Sequence, residues 1–109
     1  MTDERYLVAE TSSGDRWDDP SEDLLYMLVE DIVDERGGSF LLRRIHPREG
    51  DTLEVSSLDG RAFRVVRADD DGVFEAHSGE PREVHAAITH WSFERADGAA
   101  YSRLGWRAV

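Results

Sequence analysis

The chain has 109 residues, 39% of them apolar, which is enough for one domain around a single modest core. Its 24 acidic side chains against 13 basic ones leave a formal charge of −11. That charge argues against nucleic acid and anionic membranes as partners, because both are held through cationic patches. With no cysteine, disulfides, thiolate catalysis and thiolate metal sites are excluded together.

The chain starts Met1-Thr2-Asp3-Glu4-Arg5, acidic where a secretory or mitochondrial leader is basic. Tyr6–Ala9 reads as a first strand, and the turn-forming run Thr11-Ser12-Ser13-Gly14-Asp15 ends it. A helix is expected over 20–36. Asp19 is placed to cap it, Pro20 suits its first position, and Glu22 stands three residues after the cap. Arg36 and Gly37-Gly38 supply the stop at its far end. Leu24, Leu25, Leu28, Val29, Ile32 and Val33 recur at three- and four-residue spacing, forming one apolar stripe fit to lie on a sheet. The longest unbroken apolar run, Leu24 to Val29, is too short to cross a bilayer, so a bacterial cytoplasmic location is expected.

After Gly38 the pattern changes to strands. Ser39–Ile45 is bulky and apolar and ends at His46-Pro47. Thr52–Leu58 and Arg61–Ala68 flank Asp59-Gly60, a pair that favours a type I′ hairpin. A tight turn at Asp69–Gly72 leads into Val73–His77. Connections this short require an antiparallel meander. The last thirty residues admit two readings. As a helix from Pro81 through Arg95, the segment aligns Val84, Ala87, Ile88 and Trp91 but turns Phe93 the opposite way. As a strand over 88–94, it puts Thr89, Trp91 and Phe93 on one face. A hairpin about Asp97-Gly98 then pairs Trp91 with Leu104 and Thr89 with Trp106. The strand reading accounts for more side chains and is the expectation. The fold class is α+β: one long amphipathic helix on an antiparallel sheet of about five to seven strands, in a single domain over 1–109.

Chemical signatures are sparse. His46, His77, His85 and His90 are the only imidazoles, and His85 and His90 sit about 140° apart on a helix, unlike a zinc-binding i, i+4 pair. A calcium loop starting at Asp69 would put Val73 and Phe74 where an oxygen ligand and a glycine are needed, so Asp69-Asp70-Asp71-Gly72 reads as a solvated turn. Ser12-Ser13 and Ser56-Ser57 lack a nucleophile elbow, and without lysine no phosphate-binding loop is complete. No cofactor, metal or catalytic residue is expected, and the chain reads as a non-enzyme. All thirteen basic residues are arginine, with lysine, asparagine and glutamine absent, as codon usage in a GC-rich genome would give. The usual adenine readers are thereby missing too.

The charge is unevenly spread. Residues 1–36 hold twelve acids and three arginines, a net of −9, whereas residues 37–109 net only −2. On the expected helix Asp23, Glu30 and Asp34 cluster away from the apolar stripe, with Asp31 at their edge and Met27 in their midst. An adaptable apolar side chain ringed by carboxylates suits a cationic partner, so these five residues are the candidate partner-binding site.

The layout resembles the small acidic immunity proteins of bacterial polymorphic toxin systems, in particular an actinobacterial α+β type. The matching residues are Trp17-Asp18-Asp19-Pro20 leading into a helix with Leu24-Leu25, a run of short strands, and a chain end at Leu104-Gly105-Trp106. That family places a helix before its terminal Trp, where the alternation here favours a strand. The resemblance implies a cytoplasmic inhibitor that caps a toxin and does no chemistry of its own. The expected function is therefore stoichiometric inhibition of a basic protein partner, with no nucleic acid or membrane involved and the oligomeric state left open. Two alternatives stand beside it: a small-molecule-binding or enzymatic domain with a pocket between helix and sheet, and a nucleic-acid mimic.

Overall fold

The computed structural model describes residues 6–33, 38–46, 50–58, 62–70, 72–78, 80–93 and 104–109. Their elements run β1 (Tyr6–Thr11), β2 (Arg16–Asp18), α1 (Glu22–Val33), β3 (Ser39–His46), β4 (Thr52–Ser57), β5 (Phe63–Asp69), β6 (Gly72–Ser78), α2 (Pro81–Phe93) and β7 (Arg107–Ala108). The strands form one antiparallel sheet of seven, in the order β2-β1-β3-β4-β5-β6-β7. The fold is α+β, as the sequence implies, but the expected single long helix is replaced by two helices, and α1 is described for 12 residues. The expected extension to Arg36 and the stop at Gly37 lie outside the described residues.

Both helices cover one face of the sheet. Leu25, Leu28, Val29 and Ile32 of α1 and Val84, Ile88 and Trp91 of α2 pack onto Leu7, Ala9, Phe40, Leu42, Leu53, Val55, Phe63 and Val65. The strand residues alternate because successive side chains point to opposite faces, and in β4 the burial follows that period of two along its length. Cross-strand register keeps the inward residues in rows: Ala9 faces Leu42, which faces Leu53, and Phe40 faces Val55, which faces Val65.

The start of α1 differs from its expected form. Ser21, not Asp19, is the cap: its Oγ accepts from the Leu24 amide at 3.2 Å and its carbonyl from Leu25 at 3.0 Å. Asp19 instead closes the β1–β2 ladder. Its amide donates to the Leu7 carbonyl at 2.7 Å and its Oδ1 accepts from the Leu7 amide at 3.1 Å. It does so at φ 50°, a left-handed conformation that Asp tolerates better than most side chains.

Of the strand expected over 88–94, residues 88–93 are instead the C-terminal part of α2, and residue 94 lies outside the described residues. Glu80 supplies the carbonyl for the first turn, accepting from the Val84 amide at 3.1 Å, and Pro81 takes the first helical position. The helix buries Val84, Ala87, Ile88 and Trp91 on one side, as its spacing allows. Buried Thr89 is accommodated because its hydroxyl donates to the His85 carbonyl one turn back, at 2.9 Å. Trp91 and Thr89 therefore do not pair with Leu104 and Trp106 across a hairpin. Leu104 packs with Ala76 and Ala87, Trp106 lies against both parts of the core, and Arg107–Ala108 pair with β6. Asp97-Gly98 and the side chain of Phe93 lie outside the described residues.

Arg44 locks α2 to the sheet. Its guanidinium donates to the Trp91 carbonyl in the last turn of α2 and to Asp51 Oδ2 at 3.1 Å, and it lies 4.3 Å from the centre of the Trp91 ring. A cation at a helix C-terminus is favoured by the helix dipole, and here it also neutralises a buried carboxylate.

Candidate functional site

The apolar stripe of α1 fixes which side chains are left outside. With Leu25, Leu28, Val29 and Ile32 turned to the sheet, Asp23, Tyr26, Met27, Glu30 and Asp31 face solvent. Met27 is 57% exposed and Tyr26 44%, which makes them the exposed large apolar side chains of the helix. Met27 lies one turn from Asp23, Glu30 and Asp31, so four of the five candidate residues form one surface. Asp34 lies outside the described residues.

Tyr26 belongs to this surface and was not singled out by sequence reasoning. Its ring meets His85 of α2 edge-on, with centroids 5.1 Å apart at 88°. Its hydroxyl is hydrogen-bonded to Glu30, which holds the phenol's pKa above its usual value; the negative charge of Glu30 adds to the effect and Arg82 opposes it. The sequence held a signal for this, because Tyr26 and Glu30 stand four apart on a helix. His85 completes the contact between the helices, with Nε2 3.3 Å from the Glu22 carbonyl oxygen and 3.4 Å from Thr89 Oγ1.

Among the described residues no ion pair engages Asp23, Glu30 or Asp31. The opposite side of the sheet is arranged differently, with Glu10 2.7 Å from Arg43 and Glu75 2.8 Å from Arg64. The hydrogen bond from Arg64 is the main reason the Glu75 carboxyl lies below the usual range, against the smaller opposing effect of partial burial.

A cleft of about 350 Å³ opens beside the far end of α1. Asp31 and the core residues Leu28 and Ile32 come from α1, Phe40 and Ser39 from β3, and Trp17 from β2. Its rim is the β1–β2 turn, with Thr11, Ser12, Ser13 and Asp15. That turn is tightly built. The Thr11 amide donates to the Asp15 carbonyl at 2.9 Å, the Asp15 amide donates to Thr11 Oγ1 at 3.1 Å, and the Gly14 amide returns to the Thr11 carbonyl at 3.0 Å. Gly14 sits at φ 99°, a conformation costly for a side chain bearing Cβ. No histidine is among the cleft's described lining residues, and Ser13 Oγ donates to Asp15 Oδ2 at 3.4 Å.

Among the described residues no three His, Asp or Glu side chains gather into a metal site. Asp69 faces Gly72 across the β5–β6 turn. No described helix is long and apolar enough to cross a membrane. No family model matches the chain, and neither a curated protein nor a solved structure matches it.

Proposed function

We propose that this chain is a small acidic binding protein that works in the cytoplasm as a stoichiometric, immunity-like inhibitor of a basic protein partner, without catalysis. The observation that carries the reading is the outer face of α1, where exposed Met27 and Tyr26 sit among carboxylates that no described arginine neutralises. Such a face combines the two parts of a protein–protein interface. The charges raise the association rate and select the partner, while the apolar anchors slow dissociation. The helix at 81–93 also stands where the resemblance to toxin-immunity proteins places one, before a terminal Trp, and this supports the same reading.

The test is capture of a partner by the tagged chain, followed by binding kinetics. Met27→Ala is expected to raise the dissociation rate with little dependence on salt, as loss of a packed anchor does. Asp23→Ala with Glu30→Ala is expected to slow association at low salt, the difference closing as exposed charges are screened. A partner bound equally well by the triple variant would show that α1 presents only a solvated surface.

A further inference from the structure

The cleft beside the β1–β2 turn shares Asp31 with the acidic face of α1. We propose that it seats one arginine side chain of the basic partner, an inference that rests on the partner-binding reading of α1. Its volume of about 350 Å³ lies at the low end of the ~300–1,000 Å³ of ligand pockets, which suits a single side chain. Among its described lining residues are two carboxylates, Asp15 and Asp31, from different elements, and no cation. The same lining includes a half-buried indole, Trp17, and an aliphatic side chain, Leu28.

This set of groups fits a guanidinium better than an ammonium. A planar guanidinium can stack on the indole while its fork of N–H donors reaches more than one acceptor, whereas an ammonium is a strongly hydrated point charge. The rim is held by its own hydrogen bonds. The Ser12 amide donates to the Ser39 carbonyl at 2.9 Å, and Ser12 Oγ accepts from the Ser39 amide at 3.3 Å. A preformed rim lowers the ordering cost of binding. The expected occupant is therefore an arginine projecting from the partner surface that covers α1, its stem along Leu28 and its head at Asp31 and Asp15.

The experiment is an NMR titration of the ¹⁵N-labelled protein with Nα-acetyl-L-arginine amide. Nα-acetyl-L-lysine amide and glucose serve as comparison probes at matched ionic strength. The expected result is a saturable shift of the Trp17 indole N–H and of the Ser12, Ser13 and Asp31 amides, tighter for the arginine probe than for the lysine probe. Asp31→Asn is expected to weaken it roughly three- to fivefold, the upper range for an exposed ion pair. Glu54→Gln, on the far side of the sheet, is expected to leave it unchanged. Equal binding of the lysine probe, or the same shifts with glucose, would overturn the proposal. So would shifts confined to Asp23, Met27 and Glu30, although that outcome would leave the helix-face reading standing. The helix-face reading fails separately, through unchanged partner kinetics in the α1 variants.

Discussion

The far side of the sheet and the outer face of α1 both carry acids, and they treat them differently. On the sheet, Glu10 faces Leu41 in register and reaches diagonally to Arg43, while Glu75 faces Val66 and reaches diagonally to Arg64. Two-residue diagonals are within reach of long side chains, so strand register provides neutralisation. On α1 the described one-turn neighbours of Asp23, Glu30 and Asp31 include Tyr26 and Met27, and the described helix contains no basic residue. The difference teaches that strand register pairs the sheet acids with arginines, whereas the solvent-facing acids of α1 have no ion pair among the described residues.

The largest expected effect tests the frame that separates the two regions. If α2 holds its place through Trp91, Trp91→Ala should cost about 3–5 kcal/mol in urea unfolding, as large core truncations do. Arg44→Ala should follow at about 3 kcal/mol, because it strands the buried Asp51 carboxylate and removes the cation at the end of α2. The Glu10–Arg43 pair is more exposed, and a double-mutant cycle should return about 0.2–1 kcal/mol. On α1 the effect should be small: Glu30→Gln with Asp31→Asn should change stability by less than about 0.5 kcal/mol, as exposed substitutions outside ion pairs do. A larger loss there would show that those carboxylates are tied into the fold beyond the Tyr26–Glu30 hydrogen bond.

Titration sharpens the same contrast. The Glu75 carboxyl should titrate below the ordinary 4.5, and Arg64→Ala should bring it back up. Its folded value is lowered, so its contribution to stability is complete above about pH 4.5 and is lost as pH falls through the folded value. Carbon-detected NMR of the side-chain carboxyl reads this directly.

Much of the frame was legible in the sequence because it rests on local periods. The stripe of α1 is a repeat of 3.6, β3 to β6 are short runs cut by turn residues, and the short connections force antiparallel pairing. What failed depended on longer reach. Arg16–Asp18 is too short to show a period, and only pairing with β1 makes it a strand. Asp19 and Ser21 are both good caps by residue type, and the choice was made by the bonds of Asp19 to Leu7, twelve residues back. The α2 segment alternates and also carries a helical stripe, and packing on the sheet decided between them. The candidate site divides the same way. Asp23, Met27, Glu30 and Asp31 follow from helical projection, but the cleft joins Trp17 and the Thr11–Asp15 turn to Asp31 only in space.

The most direct test of the central claim removes equal charge from the two regions and reads association with the basic partner. Asp23→Ala with Glu30→Ala on α1 and Glu10→Ala with Glu54→Ala on the far side of the sheet change the net charge identically. Association rates measured at low and at physiological salt are expected to fall for the α1 pair alone, with the gap narrowing as salt rises. Equal slowing by both pairs, or a larger effect from the sheet pair, would contradict the account by showing that only the overall charge of the chain matters.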